Sequence, residues 1–389
     1  MYRLLIAPSL DELFCRGYLR PLSTHREVVK GTQVNKLKIG ILGCGKMGKV
    51  YARWFSANPS CQVVSFYNRT KSRALDLAAN YPNAVAKDTW QEIIEDPNID
   101  VVGICTPSHE HIAQFKSAAS AGKHILCEKP MARDFVECRE MVEAASATNA
   151  KVAVGFQMRF HPVIRKVDEL LPKIGQLLHI DFVFGMYRPE INWRHELVQG
   201  GGVLKELGSH LFDLGRHWAG EVVAVTAHNR ILSSPRQVED YSLNLMEFES
   251  GVTGYLWNNY HDRRGRSICG HLMGTEGQIE WEFSSYETED SRVVLFTNTE
   301  RTEIPIEIPS EIDDVYPGHV DSFRREIDTF IDCILNDKKP IAGPIEGMKA
   351  MEITNASYES TRLKRRIELP LKDYEPANLE KSFSRLKEE

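Results

Sequence analysis

A glycine pattern at residues 43–48 constrains the fold of this chain more than any other sequence feature. An apolar run at 38–42 precedes it, the glycines are spaced G-x-G-x-x-G, and a helical apolar pattern begins at Val50. The first glycine permits an abrupt strand-to-helix turn, the second lets a pyrophosphate approach, and the third lets the helix pack on the strand. The helix N-terminus adds free N–H groups. We therefore predict a dinucleotide-binding turn that contains Gly43, Gly45, Lys46, Met47 and Gly48.

Composition and charge exclude several other classes of protein. The chain has 389 residues, of which 42% are hydrophobic and 26% are charged, which is typical of a globular protein of about two domains. The formal net charge of −6 argues against a nucleic-acid surface, and no apolar run approaches the ~20 residues that span a bilayer. Residues 1–10 lack the basic start and long apolar run of a secretory signal.

The eight cysteines are scattered, and no pair has the C-x-x-C spacing of a metal or redox site. Four of them lie in or beside apolar runs, where a thiol behaves as a small hydrophobic group. We therefore expect reduced core cysteines, no metal site and a cytoplasmic location, with neither a membrane nor a nucleic acid as partner.

Two patterns of predicted secondary structure divide the chain. Over 37–155 strand-like and helix-like segments alternate, which predicts a doubly wound parallel sheet; after the first, its strands are expected at 62–67, 100–105, 124–127 and 150–154. Over 156–372 successive strands predict an antiparallel sheet in an α+β domain. Those strands are expected at 177–184, 222–231, 241–248, 254–257, 278–283 and 292–296, before helices near 319–336 and 346–364.

The two ends of the chain fall outside these patterns. Residues 1–36 have mixed polarity and no clear period, which fits an arm that packs on another subunit, a disordered extension, or a start codon assigned too early. The sequence does not decide among the three. Residues 373–389 form a charged tail, which we expect to be peripheral.

The end of the second predicted strand should contact the adenosine ribose, about 20 residues beyond the glycines. Asn68, Arg69 and Thr70 stand there, in place of the Asp or Glu that binds a free 2′-hydroxyl. A carboxylate repels a 2′-phosphate, whereas an amide, a hydroxyl and a guanidinium can hold one. The alternative is a polar turn that happens to be basic. We favour NADP as the cofactor, with NAD as the alternative.

A lysine follows the predicted strand at 124–127. Lys129 therefore lies at the carboxyl end of a parallel strand, where open α/β sheets bind ligands. Pro130 restricts Lys129 to an extended backbone and allows a cis peptide bond. By its chemistry alone, however, Lys129 is one lysine among many.

A second polar stretch lies at 200–217. Helical spacing aligns Glu206, His210, Asp213 and His217 in one stripe. Period alone favours a solvated helix face, but a histidine beside a carboxylate is also how a general base near neutral pH is built. Gly208 costs roughly 1 kcal/mol inside a helix, which indicates close approach of another group.

Several motifs that are individually unspecific occur along the chain in a distinctive order. They are the glycine turn, Thr106-Pro107 with His111, Ala121-Gly122-Lys123-His124, Glu128-Lys129-Pro130, and Gly-Gly…His210…Asp213. Over about 37–370 the chain thereby resembles the glucose–fructose oxidoreductase / inositol dehydrogenase (Gfo/Idh/MocA) family. The resemblance implies an N-terminal Rossmann domain, a C-terminal α+β domain with a large open, mainly antiparallel sheet, and homodimers or homotetramers joined through that sheet.

The resemblance also implies roles for individual residues. Lys129 matches a lysine near the nicotinamide and the reacting hydroxyl, and His210 matches a histidine that serves as acid and base. Glu206 matches a position that is usually aspartate, so the contacts of its longer side chain are in doubt. The nicotinamide half of the cofactor site is implied to include Thr106, Pro107, His111 and Glu128. The resemblance brings Arg159 toward the cleft, and it makes Trp193 and Arg194 candidates for either the substrate pocket or an ordinary structural role.

The implied activity is a reversible NAD(P)-dependent oxidation of a secondary alcohol on a sugar, polyol or inositol. His210 would accept the hydroxyl proton, Lys129 would stabilise the developing alkoxide, and Glu206 would orient His210 or bind a neighbouring hydroxyl. Two alternatives keep the fold, a keto-sugar reductase and an NAD-assisted glycosidase. A third is a non-catalytic dinucleotide-binding regulator, against which the presence of both Lys129 and His210 argues.

Overall fold

The computed structural model describes residues 36–188, 195–197, 200–233, 236–263, 267–284, 291–306, 317–372, 374–375 and 381. The predicted extension at 1–36, except for Lys36, lies outside these residues. So does nearly all of the predicted tail at 373–389.

The first part of the chain forms a six-stranded sheet whose paired strands are all parallel. Its strands are β1 Leu37–Leu42, β2 Cys61–Tyr67, β3 Val85–Ala86, β4 Val101–Ile104, β5 His124–Cys127 and β6 Val152–Val154. The intervening helices are α1 Lys46–Ala57, α2 Lys71–Ala78, α3 Gln91–Ile94, α4 Ser108–Ser120 and α5 Phe135–Ser146. The strand order β3-β2-β1-β4-β5-β6 reverses between β1 and β4, which is where open α/β sheets bind ligands.

The second part builds a nine-stranded sheet in the order β14-β13-β12-β11-β7-β10-β9-β8-β15. Only β7 and β10 pair in parallel among the described strands of this sheet. The strands are β7 Leu177–Gly185, β8 Val222–Arg230, β9 Tyr241–Phe248, β10 Thr253–Asn259, β11 Ser267–Gly274, β12 Gly277–Ser284, β13 Arg292–Thr297, β14 Arg301–Ile304 and β15 Ile367–Glu368. A parallel sheet followed by a large, mainly antiparallel one confirms the predicted fold class.

Four helices accompany the second sheet: α6 Pro162–Leu170, α7 Ser209–Ala219, α8 Val320–Leu335 and α9 Pro344–Leu363. Helix α8 returns to the first sheet, where Phe323, Ile327 and Phe330 join a hydrophobic core with β1 and α1. A larger core continues from the other face of the first sheet into the second sheet. The two sheets are therefore joined by shared apolar packing, which fixes the site between them.

Strand β11 was not predicted from the sequence, although it lies in the middle of the second sheet. It contains Gly270, and glycine is depleted in strands. A Cβ there would lie 2.5 Å from the ring of Trp281 and 2.7 Å from the carbonyl oxygen of Asp181. Glycine is needed because the neighbouring strands approach closely, a tertiary reason that local propensity does not contain.

Among the described residues, no helix combines the length and the apolar composition that crossing a bilayer requires.

Candidate active site

A cavity of about 600 Å³ lies along the carboxyl edge of the parallel sheet. Its wall includes the glycine turn, the ends of β2, β4 and β5, the start of α8, and Phe184 and Met186 near the end of β7. The second sheet and its helices thus complete a site that the parallel sheet begins. We call this space the central cavity.

The glycine turn has the geometry that the sequence predicted. Gly43 has φ +94°, and a Cβ there would lie 2.6 Å from the carbonyl oxygen of Cys105. A Cβ on Gly48 would lie 1.9 Å from the carbonyl oxygen of Gly43, so helix α1 packs directly on the turn. By contrast, a Cβ on Gly45 would meet no atom within 4 Å, and Gly45 lines the cavity with Lys46 and Met47. Glycine at position 45 is therefore not explained by protein packing, whereas a pyrophosphate bound in the cavity would require it.

The polar turn after β2 lies at the same end of the central cavity. Asn68 joins it to the glycine turn: its Oδ1 accepts the N–H of Cys44 at 3.0 Å, and its Nδ2 donates to the carbonyl of Thr70 at 3.0 Å. The side chains of Arg69 and Thr70 are exposed and line the cavity. Arg73, one turn into α2, joins them and was not predicted. Asn68 therefore shapes the turn, while the two arginines supply positive charge.

The loop after β4 contributes Thr106 and Pro107 to the cavity wall, but not His111. His111 is buried, with its Nε2 at 2.7 Å from the carbonyl oxygen of Thr106 and its Nδ1 at 3.2 Å from that of Met131, and the neutral ring can donate to one of the two. Burial lowers the pKa of the His111 imidazole. The histidine thus supports the loop from behind, and a direct part of His111 in the cofactor site stays a prediction.

Lys129 connects the two parts of the site. It follows β5, its peptide bond to Pro130 is cis, and its Nζ donates to the backbone carbonyl of Glu206 at 2.7 Å. The preceding Glu128 also lines the cavity and is buried. Burial raises the pKa of Glu128 to about 7, against the opposing effect of the Lys129 ammonium.

His210 reaches the central cavity from α7, just after a π-helical turn at Leu204–Gly208. Burial, and then the charges of Lys129 and His319, lower the pKa of His210 well below its usual value. Its Nδ1 is buried without a hydrogen-bond partner among the described residues. The imidazole is thus neutral at physiological pH and can accept a proton.

Glu206 lies on the π-helical turn and is among the residues that line the cavity. Arg188 Nη1 lies 3.0 Å and 3.1 Å from its two oxygens, and the Tyr260 hydroxyl donates to Oε2 at 2.5 Å. These bonds draw the carboxylate toward Arg188 and Tyr260, neither of which the sequence predicted as part of the site.

Most of the predicted polar stripe at 206–217 is not a solvated face, since His210 and Asp213 are buried and only its last member, His217, is exposed. Asp213 is buried and accepts two hydrogen bonds from Arg159, both at 2.7 Å, while His217 pairs with Asp168 at 3.1 Å. Gly208 is required by a close approach, as predicted: a Cβ there would lie 2.8 Å from Oδ1 of Asn258.

Arg159 is not among the described residues that line the central cavity. Its guanidinium is bound to Asp213 and to the carbonyl of Ile341 at 3.2 Å. The buried carboxylate of Asp213 thus holds the guanidinium, and a role of Arg159 in the cleft stays a prediction. Trp193 and Arg194 lie outside the described residues.

Several lining residues were missed because they are apolar or lie far along the chain. They come from the segment after β6, the end of β7, the π-helical turn and the start of α8: Gln157, Met158, Phe184, Met186, Leu207, His319 and Phe323. Of these, Gln157 and Met158 directly precede Arg159, which the family resemblance had placed near the cleft. No local sequence pattern marks the other lining residues as part of the site.

The fold and this site define a class of protein, an oxidoreductase with an NAD-binding Rossmann domain and a second domain that completes the active site. Residues 37–156 match the model of the oxidoreductase family's NAD-binding Rossmann fold, and residues 169–369 match that of its C-terminal alpha/beta domain. The chain belongs to the Gfo/Idh/MocA oxidoreductase family, which confirms the resemblance.

Individual relatives share the fold at modest sequence identity. The chain is 26% identical to scyllo-inositol 2-dehydrogenase (NAD(+)) of Bacillus subtilis over 87% of its own length and 98% of that protein. It is 30% identical to scyllo-inositol 2-dehydrogenase (NADP(+)) of the same organism, over 55% of this chain and 61% of that one. A structure of levoglucosan dehydrogenase in complex with NADH and levoglucosan matches with a TM-score of 0.79 and 24% identity, covering 86% of this chain and all of that one.

Proposed function

We propose that this chain is an NAD(P)-dependent dehydrogenase that oxidises a secondary alcohol of a sugar, polyol or inositol. The observation that carries the proposal is the convergence of Lys129, His210 and Glu206 on the cavity that the glycine turn opens. The names of the relatives support the substrate class, since inositols and levoglucosan are polyhydroxylated rings.

The cofactor site is supported by features that protein packing does not explain. Gly45 leaves open space beside the N-terminus of α1, whose N–H groups suit a pyrophosphate. Thr106, Pro107 and Glu128 would border the nicotinamide half. When bound, the nicotinamide accepts the hydride that the alcohol carbon gives up.

The side chains of the second half of the site would transfer the hydroxyl proton of the substrate. His210 is neutral because its pKa is lowered, so it would take the hydroxyl proton as the C–H bond breaks. The Lys129 ammonium, held by the backbone carbonyl of Glu206, would stabilise the developing alkoxide. In the reverse direction His210 would return the proton to the ketone oxygen.

We also propose NADP as the preferred cofactor. The exposed turn after β2 offers Arg69, Thr70 and Arg73 to the adenosine end, and none of these is a carboxylate. Two guanidinium groups and a hydroxyl suit a 2′-phosphate. Relatives named for each cofactor exist, so the arginines rather than the family support this choice.

For its assembly we propose a homodimer or homotetramer joined through the outer face of the second sheet. Directly paired residues on β9, β10 and β7 place Leu243, Leu245, Tyr255, Trp257 and Val183 on one face. Leu245 is 55% exposed there, although β9 is paired on both sides within the sheet. Light scattering after gel filtration should give a molecular mass that is an even multiple of 44.3 kDa. The substitution Leu245→Asp should lower that molecular mass.

A substrate screen tests the activity. Inositols, levoglucosan, aldoses and alditols are incubated with NADP and with NAD, and absorbance at 340 nm is followed. We expect reduction of the cofactor by at least one polyol. If the protein binds NADPH but no alcohol or ketone changes the absorbance, the regulator alternative replaces the enzyme. If sugars are cleaved and no free reduced cofactor is formed, the NAD-assisted glycosidase replaces the dehydrogenase as the proposed function.

A further inference from the structure

The turn that precedes α7 departs from α-helical geometry by one residue. Leu204–Gly208 form a π-helical turn, in which N–H groups bond carbonyls five residues back instead of four. The N–H of Ser209 accordingly donates to the carbonyl of Leu204, whereas an α-helix would pair it with the carbonyl of Lys205. Such turns are rare in proteins and frequently lie at functional sites. Here the turn lies just before His210 in the cavity wall.

The hydroxyl of Ser209 stabilises this register. Its Oγ donates at 2.7 Å to the carbonyl oxygen of Lys205, which is the carbonyl that the N–H of Ser209 passes over. Both residues are buried, so this carbonyl has to be satisfied within the protein. A serine inside an ordinary helix that bonds the carbonyl four residues back only adds a second donor to it. At Ser209 the hydroxyl takes the place of the helical donor.

The start of the turn is fixed by Glu239. Its backbone carbonyl accepts the N–H of Val203 at 3.1 Å, and its carboxylate accepts the N–H of Leu204 at 2.9 Å. A Cβ on Gly202 would lie 2.5 Å from the same carboxylate oxygen, so the chain lies directly against Glu239. The Tyr358 hydroxyl donates to that oxygen at 3.0 Å and holds it in place. A change of register therefore has to be taken up after this point.

The end of the turn is fixed by the packing of α7. Leu211, Phe212 and Leu214 are fully buried in the core. These contacts would be lost if the helix rotated by about 100°, the angle that one residue adds in an α-helix. With both ends held, loss of the π-helical register would move the backbone between Leu204 and Ser209.

Glu206 belongs to that stretch of backbone, and its carbonyl oxygen accepts the Nζ of Lys129 at 2.7 Å. His210 follows two residues after the turn, and the Lys129 ammonium is close enough to help lower the pKa of its imidazole. The π-helical turn therefore sets the place of the ammonium relative to His210.

We infer that Ser209 is a positioning residue for the proposed dehydrogenase reaction. Its hydroxyl keeps the turn in the π-helical register, and the turn presents the carbonyl of Glu206 to Lys129. The ammonium is thereby held beside His210. Ser209 itself is not among the described residues that line the central cavity. This inference rests on the proposed function, since it explains how the two groups that would act on the substrate are kept together.

Ser209→Ala tests the inference, with levoglucosan and scyllo-inositol as the probes and with NADP and NAD as cofactors. We expect kcat to fall about tenfold to a hundredfold, because the ammonium is no longer held where the alkoxide forms, while the Kd for NADPH stays within about twofold. The acid limb of the pH profile of kcat/KM should move to higher pH by about one unit. The reason is that Lys129 then lowers the pKa of His210 less, although burial and His319 still do so.

Two further measurements separate the register from other effects of the substitution. Ser209→Cys keeps nearly the same volume and offers a thiol, which is a weaker donor, so kcat and the acid limb should change in the same direction but less. A crystal structure of Ser209→Ala should show the N–H of position 209 bonded to the carbonyl of Lys205. The carbonyl of Glu206 should have moved away from Lys129.

Thr354→Val is the matched control. The buried hydroxyl of Thr354 in α9 donates at 2.9 Å to the carbonyl of Ala350, also four residues back, but neither residue is among the described ones that line the cavity. This variant should lower Tm about as much as Ser209→Ala and leave kcat and the pH profile unchanged.

The outcomes distinguish this inference from the proposed function. If the wild type oxidises either polyol and Ser209→Ala keeps kcat within twofold, leaves the acid limb in place or retains the π-helical turn, the positioning role is wrong and the dehydrogenase stands. If the wild type turns over no polyol, the proposed function fails and this inference fails with it.

Discussion

The two halves of the central cavity are built in opposite ways. The half at the glycine turn is formed by short stretches close in sequence, and its Arg69 and Thr70 are exposed. The half at His210 is buried and draws on groups as distant as Lys129, Glu206 and Tyr260. Recognition of a phosphate uses backbone N–H groups and charge at the surface, whereas the pKa of His210 is lowered by burial and by the neighbouring charges of Lys129 and His319.

Lys129→Met gives the largest effect expected at the buried half. It removes the ammonium that would stabilise the alkoxide, so kcat should fall about a thousandfold while the Kd for NADPH stays within about threefold. Steady-state kinetics and fluorescence titration of NADPH separate the two effects. Near-normal turnover would take Lys129 out of the catalytic machinery.

At the exposed half, Gly48→Ala and Gly45→Ala form a contrasting pair. The Cβ in Gly48→Ala would collide with the carbonyl of Gly43, so the free energy of unfolding should fall by roughly 3 kcal/mol. The Cβ in Gly45→Ala meets no protein atom, so Tm should be unchanged while the Kd for the dinucleotide rises about tenfold. Urea unfolding and calorimetric titration measure both. Equal effects of the two variants on stability would contradict the assignment of Gly45 to the ligand.

Removing the arginines after β2 should have a smaller effect, which is confined to the choice between NADP and NAD. The double variant Arg69→Ala/Arg73→Ala should lower kcat/KM for NADP by about tenfold to a hundredfold, because charge-assisted bonds to the 2′-phosphate are lost. The kcat/KM for NAD should change by less than threefold. A wild-type enzyme that strongly prefers NAD would overturn the NADP proposal before any variant is made.

The smallest expected effect concerns stability against pH at the buried half. The pKa of Glu128 is raised to about 7 in the folded state, above its unfolded value near 4.5. The folded state thus holds the proton more tightly, so stability is lost as pH rises through 7. Between pH 5 and pH 8 the wild type should lose about 2 kcal/mol more than Glu128→Gln in urea unfolding. Parallel pH profiles for the two would argue against a buried, protonated Glu128.

The contrast between the two halves also explains which residues could be predicted. Glycine spacing, the strand before it and the helix after it are local, and they located the turn at Gly43 and the close packing at Gly48. The role of Gly45 beside a pyrophosphate stays a prediction. The motif of His111 did not reveal that its ring lies against the carbonyls of Thr106 and Met131. Nor did the sequence around Arg159 reveal its partner Asp213, which is 54 positions away.

The sequence alone determined the fold class, the glycine turn and the candidate pair Lys129 and His210, because each depends on local pattern or on motifs in a fixed order. Only the tertiary structure decided that Glu206 is held by Arg188 and Tyr260 and that the pKa of His210 is lowered. Those properties depend on burial and on distances between residues far apart in the chain. Local sequence patterns determine neither burial nor such distances.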